Sequence, residues 1–137
     1  MTHVQWQDAL SLGNVTMDRT HHEFVDMVAA LEGAQDAALL AAMDALIAHT
    51  DAHFSREDRW MEASRFPMRG CHLAEHEGVL AVLREARGHV AEGRTRVARI
   101  LPPELMHWFE GHVSSMDAML ARWLETHPQE TAEASPA

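Results

Sequence analysis

The chain has one cysteine, no tyrosine, and only four tryptophans and four phenylalanines among its 137 residues. A single thiol, Cys71, excludes an intramolecular disulfide and fits a reducing compartment. Scarce aromatics beside abundant Ala, Leu and Met favour helix over sheet. No run alternates with period two for long enough to make a strand. Basic residues are outnumbered 11 to 21 by acidic ones, a formal net charge of −10 with His neutral. Such a surface argues against nucleic acid or an anionic membrane as partner. No apolar stretch is long enough to span a bilayer, and MTHVQWQDALSLG lacks the basic run and apolar core of a signal peptide. The expected location is the cytoplasm.

What is present is enough apolar side chain, 47 % of the residues, to build the core of one domain. Residues 1–13 read as an arm with one large apolar residue, Trp6. Asn14 or Thr16 caps a first helix carrying Met17, His21, Phe24, Val25, Val28 and Leu31, which Gly33 ends. A second helix runs from Asp36 through Leu39, Met43, Leu46, His53, Glu57 and Trp60 to about Ser64, and Pro67 and Gly70 break it. A third opens near Cys71 and closes near Gly93. The stretch from Arg94 to Leu101 has no clear pattern. Pro102-Pro103 reads as the first turn of a fourth helix that carries Leu105, Trp108, Phe109, His112, Met116, Leu120 and Leu124. Residues 126–137 form a polar tail with two prolines. Short links between amphipathic helices imply an all-α, antiparallel up-down-up-down four-helix bundle over residues 1–125.

Seven side chains on these helices carry the chemistry: His21, His53 and Glu57, His72 and His76, and His112 and Asp117. His53 and Glu57, like His72 and His76, are one turn apart on one helix face. His112 and Asp117 are five apart, about 140° around an α-helix, a poor match to a single face. A lone histidine on an apolar face is usually a hydrogen-bonded core residue. Five of them with two carboxylates on inward faces would cost roughly 1–3 kcal/mol for each group left unsatisfied. A domain of this kind has only about 5–15 kcal/mol to lose. Imidazole suits iron, copper, zinc and nickel, and a carboxylate can bridge two such ions, so a two-metal centre satisfies the set together.

The remaining candidates carry less. Cys71 is one residue from His72, about 100° away on a helix, and is expected not to be a ligand. His49 lies one turn before His53 and reads as a supporting or core residue. His22 and His107 should face away from the centre, and His3, His89 and His127 should lie on the surface. Asp18 and Glu75 are expected to accept hydrogen bonds from ligand imidazoles. The nine methionines fall on apolar faces as gap-fillers do, with no sign of a copper-type cluster.

The ordered motifs resemble the hemerythrin family, in particular its single-domain bacterial members. They are Met17-Asp18-Arg19-Thr20-His21, His53-Phe54-Ser55-Arg56-Glu57, His72-x-x-x-His76 and Trp108-x-x-x-His112-Val113-x-x-x-Asp117. The resemblance implies two iron ions with an oxo or hydroxo bridge. His72, His76 and His112 would hold one iron and His21 and His53 the other, with Glu57 and Asp117 bridging. The iron with two histidines keeps an open position for dioxygen, walled by Phe24, Phe54, Trp108 and Val113. Departures from the family pattern miss the ligands: Met17 for Ile, Thr20 for Gln, Asp58 for Glu, Phe66 for Tyr and Val113 for Ile.

The function expected is reversible dioxygen binding, as a carrier, store or sensor module, and not an enzymatic activity. The alternatives are a di-iron enzyme reducing peroxide or nitric oxide, and a protein that sequesters iron or binds another metal such as zinc. With no output domain attached, sensing would need a separate protein partner.

Overall fold

A computed structural model describes residues 4–128. Among them there is no strand. A short 3-10 turn, Asp8–Leu10, precedes α1 (Val15–Gly33), α2 (Asp36–Ser64), α3 (Arg69–Ala91), α4 (Arg96–His112) and α5 (Ala118–Thr126). The last two are one rod, joined through a single π turn at Val113–Asp117. Residues 129–137, most of the expected tail, lie outside the described residues, and α5 extends through Thr126.

Local signals set the ends of the helices. The Asn14 side chain caps α1 by accepting from the Met17 N–H at 3.0 Å. At the end of α2, Arg65 adopts the left-handed conformation with φ 59°. The Arg65 N–H bonds the Glu62 carbonyl and the Phe66 N–H the Met61 carbonyl, a Schellman closure that packs Phe66 beside Met61. α3 closes in the same way, with Gly93 at φ 86° and the Arg94 N–H on the His89 carbonyl.

Two helix starts differ from the sequence expectation. α3 begins at Arg69, so Gly70 lies inside it and only Pro67 marks the break. α4 begins at Arg96, and Pro102 and Pro103 sit inside the helix instead of opening it. Proline removes the N–H that the carbonyl four residues earlier would use. The turns before it hold because Ala98 and Leu101 are buried against the core. Packing outweighs the lost bonds.

Cross-helix pairs fix the register. Along α2 and α3, Asp44 meets Arg87, Asp51 meets Arg84, Asp58 meets His76 and Glu62 meets Arg69. Along α1 and α2, Glu23 meets His49 and Thr20 meets Arg56. In each series one number rises as the other falls, the order given by neighbouring helices of opposite sense. The exposed ion pairs among them, Asp44–Arg87, Asp51–Arg84 and Glu62–Arg69, add little stability, roughly 0–1 kcal/mol each. The bundle rests on apolar burial, at roughly 1.5–3 kcal/mol for a side chain such as Phe24 or Leu46.

That burial is split in two. The larger apolar cluster holds Phe24, Val28, Leu46, Leu83, Leu105 and Phe109, and the smaller one Met17, Trp60, Met61, Phe66, Leu120 and Leu124. On α1, α2 and the α4–α5 rod the buried polar residues other than Ser64 fall between members of the two clusters. The polar layer divides the core. The arm closes over the larger cluster through Leu10, buried to 4 %, while Trp6 is half-buried and stacks on His22 at 3.8 Å. Among the described residues no helix is long and apolar enough to cross a membrane.

Candidate metal centre

All seven residues expected from the sequence come together in the polar layer. His21, His53, Glu57, His72, His76, His112 and Asp117 are each at most 4 % exposed. α1 supplies His21, α2 His53 and Glu57, and α3 His72 and His76. The fourth rod supplies His112 and Asp117, and the π turn between them solves the spacing problem. The Ala118 N–H reaches the Val113 carbonyl, five residues back. Widening the turn in this way lets residues five apart share a face.

The donor atoms fall into two groups, each within 4.8 Å: one from Glu57, His72, His76, His112 and Asp117, the other from His21, His53 and Glu57. Glu57 Oε1 lies 3.2 Å from His72 Nε2 and 3.4 Å from His76 Nε2, while its Oε2 lies 2.8 Å from His53 Nε2. Asp117 Oδ1 lies 2.9 Å from His72 Nε2 and 3.2 Å from His112 Nε2, while its Oδ2 lies 3.1 Å from His21 Nε2. Each carboxylate therefore turns one oxygen to the three-histidine side and one to the two-histidine side.

Most of these contacts are close without being hydrogen bonds. Nε2 of His21, His72, His76 and His112, Oε1 of Glu57 and both Asp117 oxygens are buried with no hydrogen-bond partner. Only His53 Nε2 and Glu57 Oε2 have hydrogen-bond geometry. Donor atoms that converge without hydrogen-bond geometry between them are the donor set of a cation, and imidazole with carboxylate fits a divalent transition metal.

Charge follows the same geometry. Burial would push the Glu57 and Asp117 carboxyls up. The imidazoles around them prevail and hold both far below the ordinary carboxylate range, His53, His21 and His72 acting on Glu57 and His112, His21 and His72 on Asp117. Burial likewise pushes His21 and His72 down, but Asp117 and Glu57 outweigh it and raise each to about 9. His76 is raised against its burial by Asp58 and Glu57. His53 goes the other way, because burial dominates there.

The supporting residues are partly those expected. Glu75 Oε1 lies 3.1 Å from His112 Nδ1. Asp18 does not contact an imidazole. Its carboxylate accepts from the Leu12 and Gly13 N–H groups and the Ser11 hydroxyl, because the arm folds back across the start of α1. Asp58, next to Glu57, is a supporting carboxylate the sequence reading missed, with Oδ1 3.4 Å from His76 Nδ1 but without hydrogen-bond geometry. Arg56 was missed as well: it is 6 % exposed and donates to the Thr20 hydroxyl, which donates to the Thr16 carbonyl. His49 is half-buried on Glu23, His22 and His107 are exposed, His89 is half-buried, and His3 lies outside the described residues. Cys71 is exposed and free.

The aromatic surroundings also divide. Phe54 stacks on His76 at 3.7 Å and Trp108 on His112 at 4.6 Å, both on the three-histidine side, though Phe54 also lies 5.2 Å from His53. Phe109, absent from the expected pocket, meets the His21 ring edge-on at 5.3 Å and packs on Phe24. Its place three residues before His112 was the available signal. Val113 is buried at the start of the π turn.

Comparison with known proteins gives the same direction. Residues 12–124 match the family described as the hemerythrin HHE cation binding domain. A bacteriohemerythrin of Ralstonia nicotianae is 41 % identical over 134 residues, covering 98 % of each chain. Bacteriohemerythrins of Pseudomonas paraeruginosa and Stenotrophomonas maltophilia are 30 % and 27 % identical, over 86 % and 89 % of this chain and 79 % and 82 % of theirs. With its motifs gathered into one buried layer and this match along nearly its whole length, the chain belongs to the hemerythrin family.

Proposed function

We propose that this chain holds two iron ions between its helices and binds dioxygen reversibly. The observation that carries the reading is the division of Glu57 and Asp117, each turning one oxygen to either histidine group. His72, His76 and His112 would hold one ion, His21 and His53 the other, and the two carboxylates both. Two ferrous ions held there, with an oxo or hydroxo bridge, would supply the electron pair that dioxygen takes on binding and returns on release.

The protein's own contribution is asymmetry and dryness. Three imidazoles against two leaves the His21 and His53 side with one donor fewer, and so with room for an outside ligand. Two carboxylates among five imidazoles supply little negative charge, which favours the ferrous state and binding over turnover. Phe24, Phe54, Phe109 and Val113 are buried beside the cluster and exclude water from it, which opposes loss of a reduced oxygen species. Burial lowers His53 and so favours the neutral imidazole, the form a metal takes as ligand.

The test is metal analysis of protein expressed with ample iron, followed by spectra under argon, after oxygen, and under argon again. Two irons per chain and a visible band that appears with oxygen and fades under argon are expected. Fewer than two irons, no oxygen-dependent band, or catalytic consumption of peroxide without a stable oxygenated form would overturn the reading.

A further inference from the structure

The methionines depart from the expectation of scattered core fillers at one place. Met68 and Cys71 are three residues apart at the start of α3, and Met116 and Met119 are three apart where the π turn passes into α5. These four sulfur side chains line one cavity of about 180 Å³, together with Phe66, His72 and Ser115. A gap-filling methionine belongs inside a core. Here Met68 and Met119 are 44 % and 43 % exposed, and Cys71 is an exposed free thiol.

His72 forms part of the cavity wall and is itself 1 % exposed. Its Nε2 is turned to Glu57 and Asp117, which leaves Nδ1 on another edge of the ring, buried and without a partner. No carboxylate lines the cavity, so it offers nothing to a hard cation such as calcium or magnesium. Thiolate and thioether are soft donors, and they select soft ions, Cu(I) above all. The cavity is larger than an ion, but methionine has three rotatable bonds and two of the three are exposed, so the thioethers can close on it.

We propose that Met68, Cys71, Met116 and Met119 form a surface site for a soft monovalent cation, Cu(I). On binding, the Cys71 thiol gives its proton to solvent and no electron is transferred. The site shares no donor atom with the buried cluster, so it stands or falls independently of what the cluster holds.

The test is an anaerobic titration of the full, iron-loaded and reduced chain with Cu(I) against the chromophoric chelator bicinchoninate, followed by X-ray absorption at the copper edge. One Cu(I) per chain withheld from the chelator, with a shell of sulfur only, is the expected result. A Met68→Leu, Cys71→Ser, Met119→Leu variant should bind roughly tenfold or more weakly, with iron content and helicity unchanged, because all three side chains are exposed. Met68→Leu with Met119→Leu alone should also weaken binding, which separates a shared site from an adventitious thiol. Surrender of all copper by the parent chain, retention by the triple variant, a nitrogen shell, or dependence on Cys71 alone would each overturn the proposal.

Discussion

His112 and Asp117 are five residues apart in sequence, yet His112 Nε2 and Asp117 Oδ1 meet at 3.2 Å in the buried layer. The π turn between them makes this possible, and the local sequence supports it. The hydroxyls of Ser114 and Ser115 both donate to the Gly111 carbonyl, keeping it hydrogen-bonded where the turn widens. A widened turn behaves as one inserted residue in an α-helix. Deleting exposed Ser114 should therefore return the rod to α geometry and leave His112 and the aspartate four apart, within about 40° of one face. Two metal ions per chain and an intact fold are expected by metal analysis and circular dichroism. Inserting one Ala after Ser115 puts the pair six apart, about 240° around, and metal content should fall below two. Loss of metal in the deletion variant would show that the π turn does more than align the pair.

The charge state of the layer sets a pH dependence for the metal-free protein. His21 and His72 are raised to about 9, so the stability they contribute is complete below their ordinary value of 6.5 and is lost as pH rises through about 9. Glu57 and Asp117 are lowered, so theirs is present above the ordinary carboxylate range and is lost only in strong acid. Denaturant unfolding of metal-free protein should be most stable near pH 5–6.5 and weaken towards pH 9. Metal competes for the same lone pairs. Loading at pH 7 should release at least about two protons per chain, those of His21 and His72, measurable with a pH indicator in weak buffer. Release of none would mean that these imidazoles are already neutral.

Glu75 and Asp58 contact the ligand rings from behind, Glu75 on His112 Nδ1 and Asp58 towards His76 Nδ1. An acceptor there fixes the tautomer that leaves Nε2 free and orients the ring. Glu75→Gln and Asp58→Asn should each weaken metal binding roughly 10-fold, the lower end of what such partners contribute, because both carboxylates are partly exposed. Chelator competition measures it. Unchanged affinity would leave packing by Trp108 and Phe54 as what holds His112 and His76.

Most helix spans and the pairs His53–Glu57 and His72–His76 were legible because both depend on spacing within one helix, whereas His21, His112 and Asp117 joined them through the ordered family motifs. Leu39, Met43 and Leu46 mark a face of α2 whatever lies opposite, and His53 and Glu57 fall on the same rod. Features set by other parts of the chain were not. The start of α4 at Arg96 depends on burial of Ala98 and Leu101 against other helices, which Pro102-Pro103 masks. The π turn has no breaker, only the Ser114-Ser115 pair inside an apolar helix. The four sulfur side chains come from α3 and the fourth rod, so no single-helix pattern could collect them.

Asp18 is the clearest case of a residue whose role is set by another segment. Its position three residues before His21 suggests support for the ring, but its carboxylate is taken by the Ser11 hydroxyl and the Leu12 and Gly13 N–H groups. Those bonds hold the arm down at the start of α1, where Leu10 is buried and Trp6 stacks on His22. Charge near a helix N-terminus adds to the effect. Asp18→Ala should then lower stability by about 1–2 kcal/mol in denaturant unfolding and speed amide exchange at Leu12 and Gly13. Metal affinity should stay unchanged, since no ligand atom loses a partner. A fall in metal affinity without faster exchange in the arm would assign Asp18 to the centre after all.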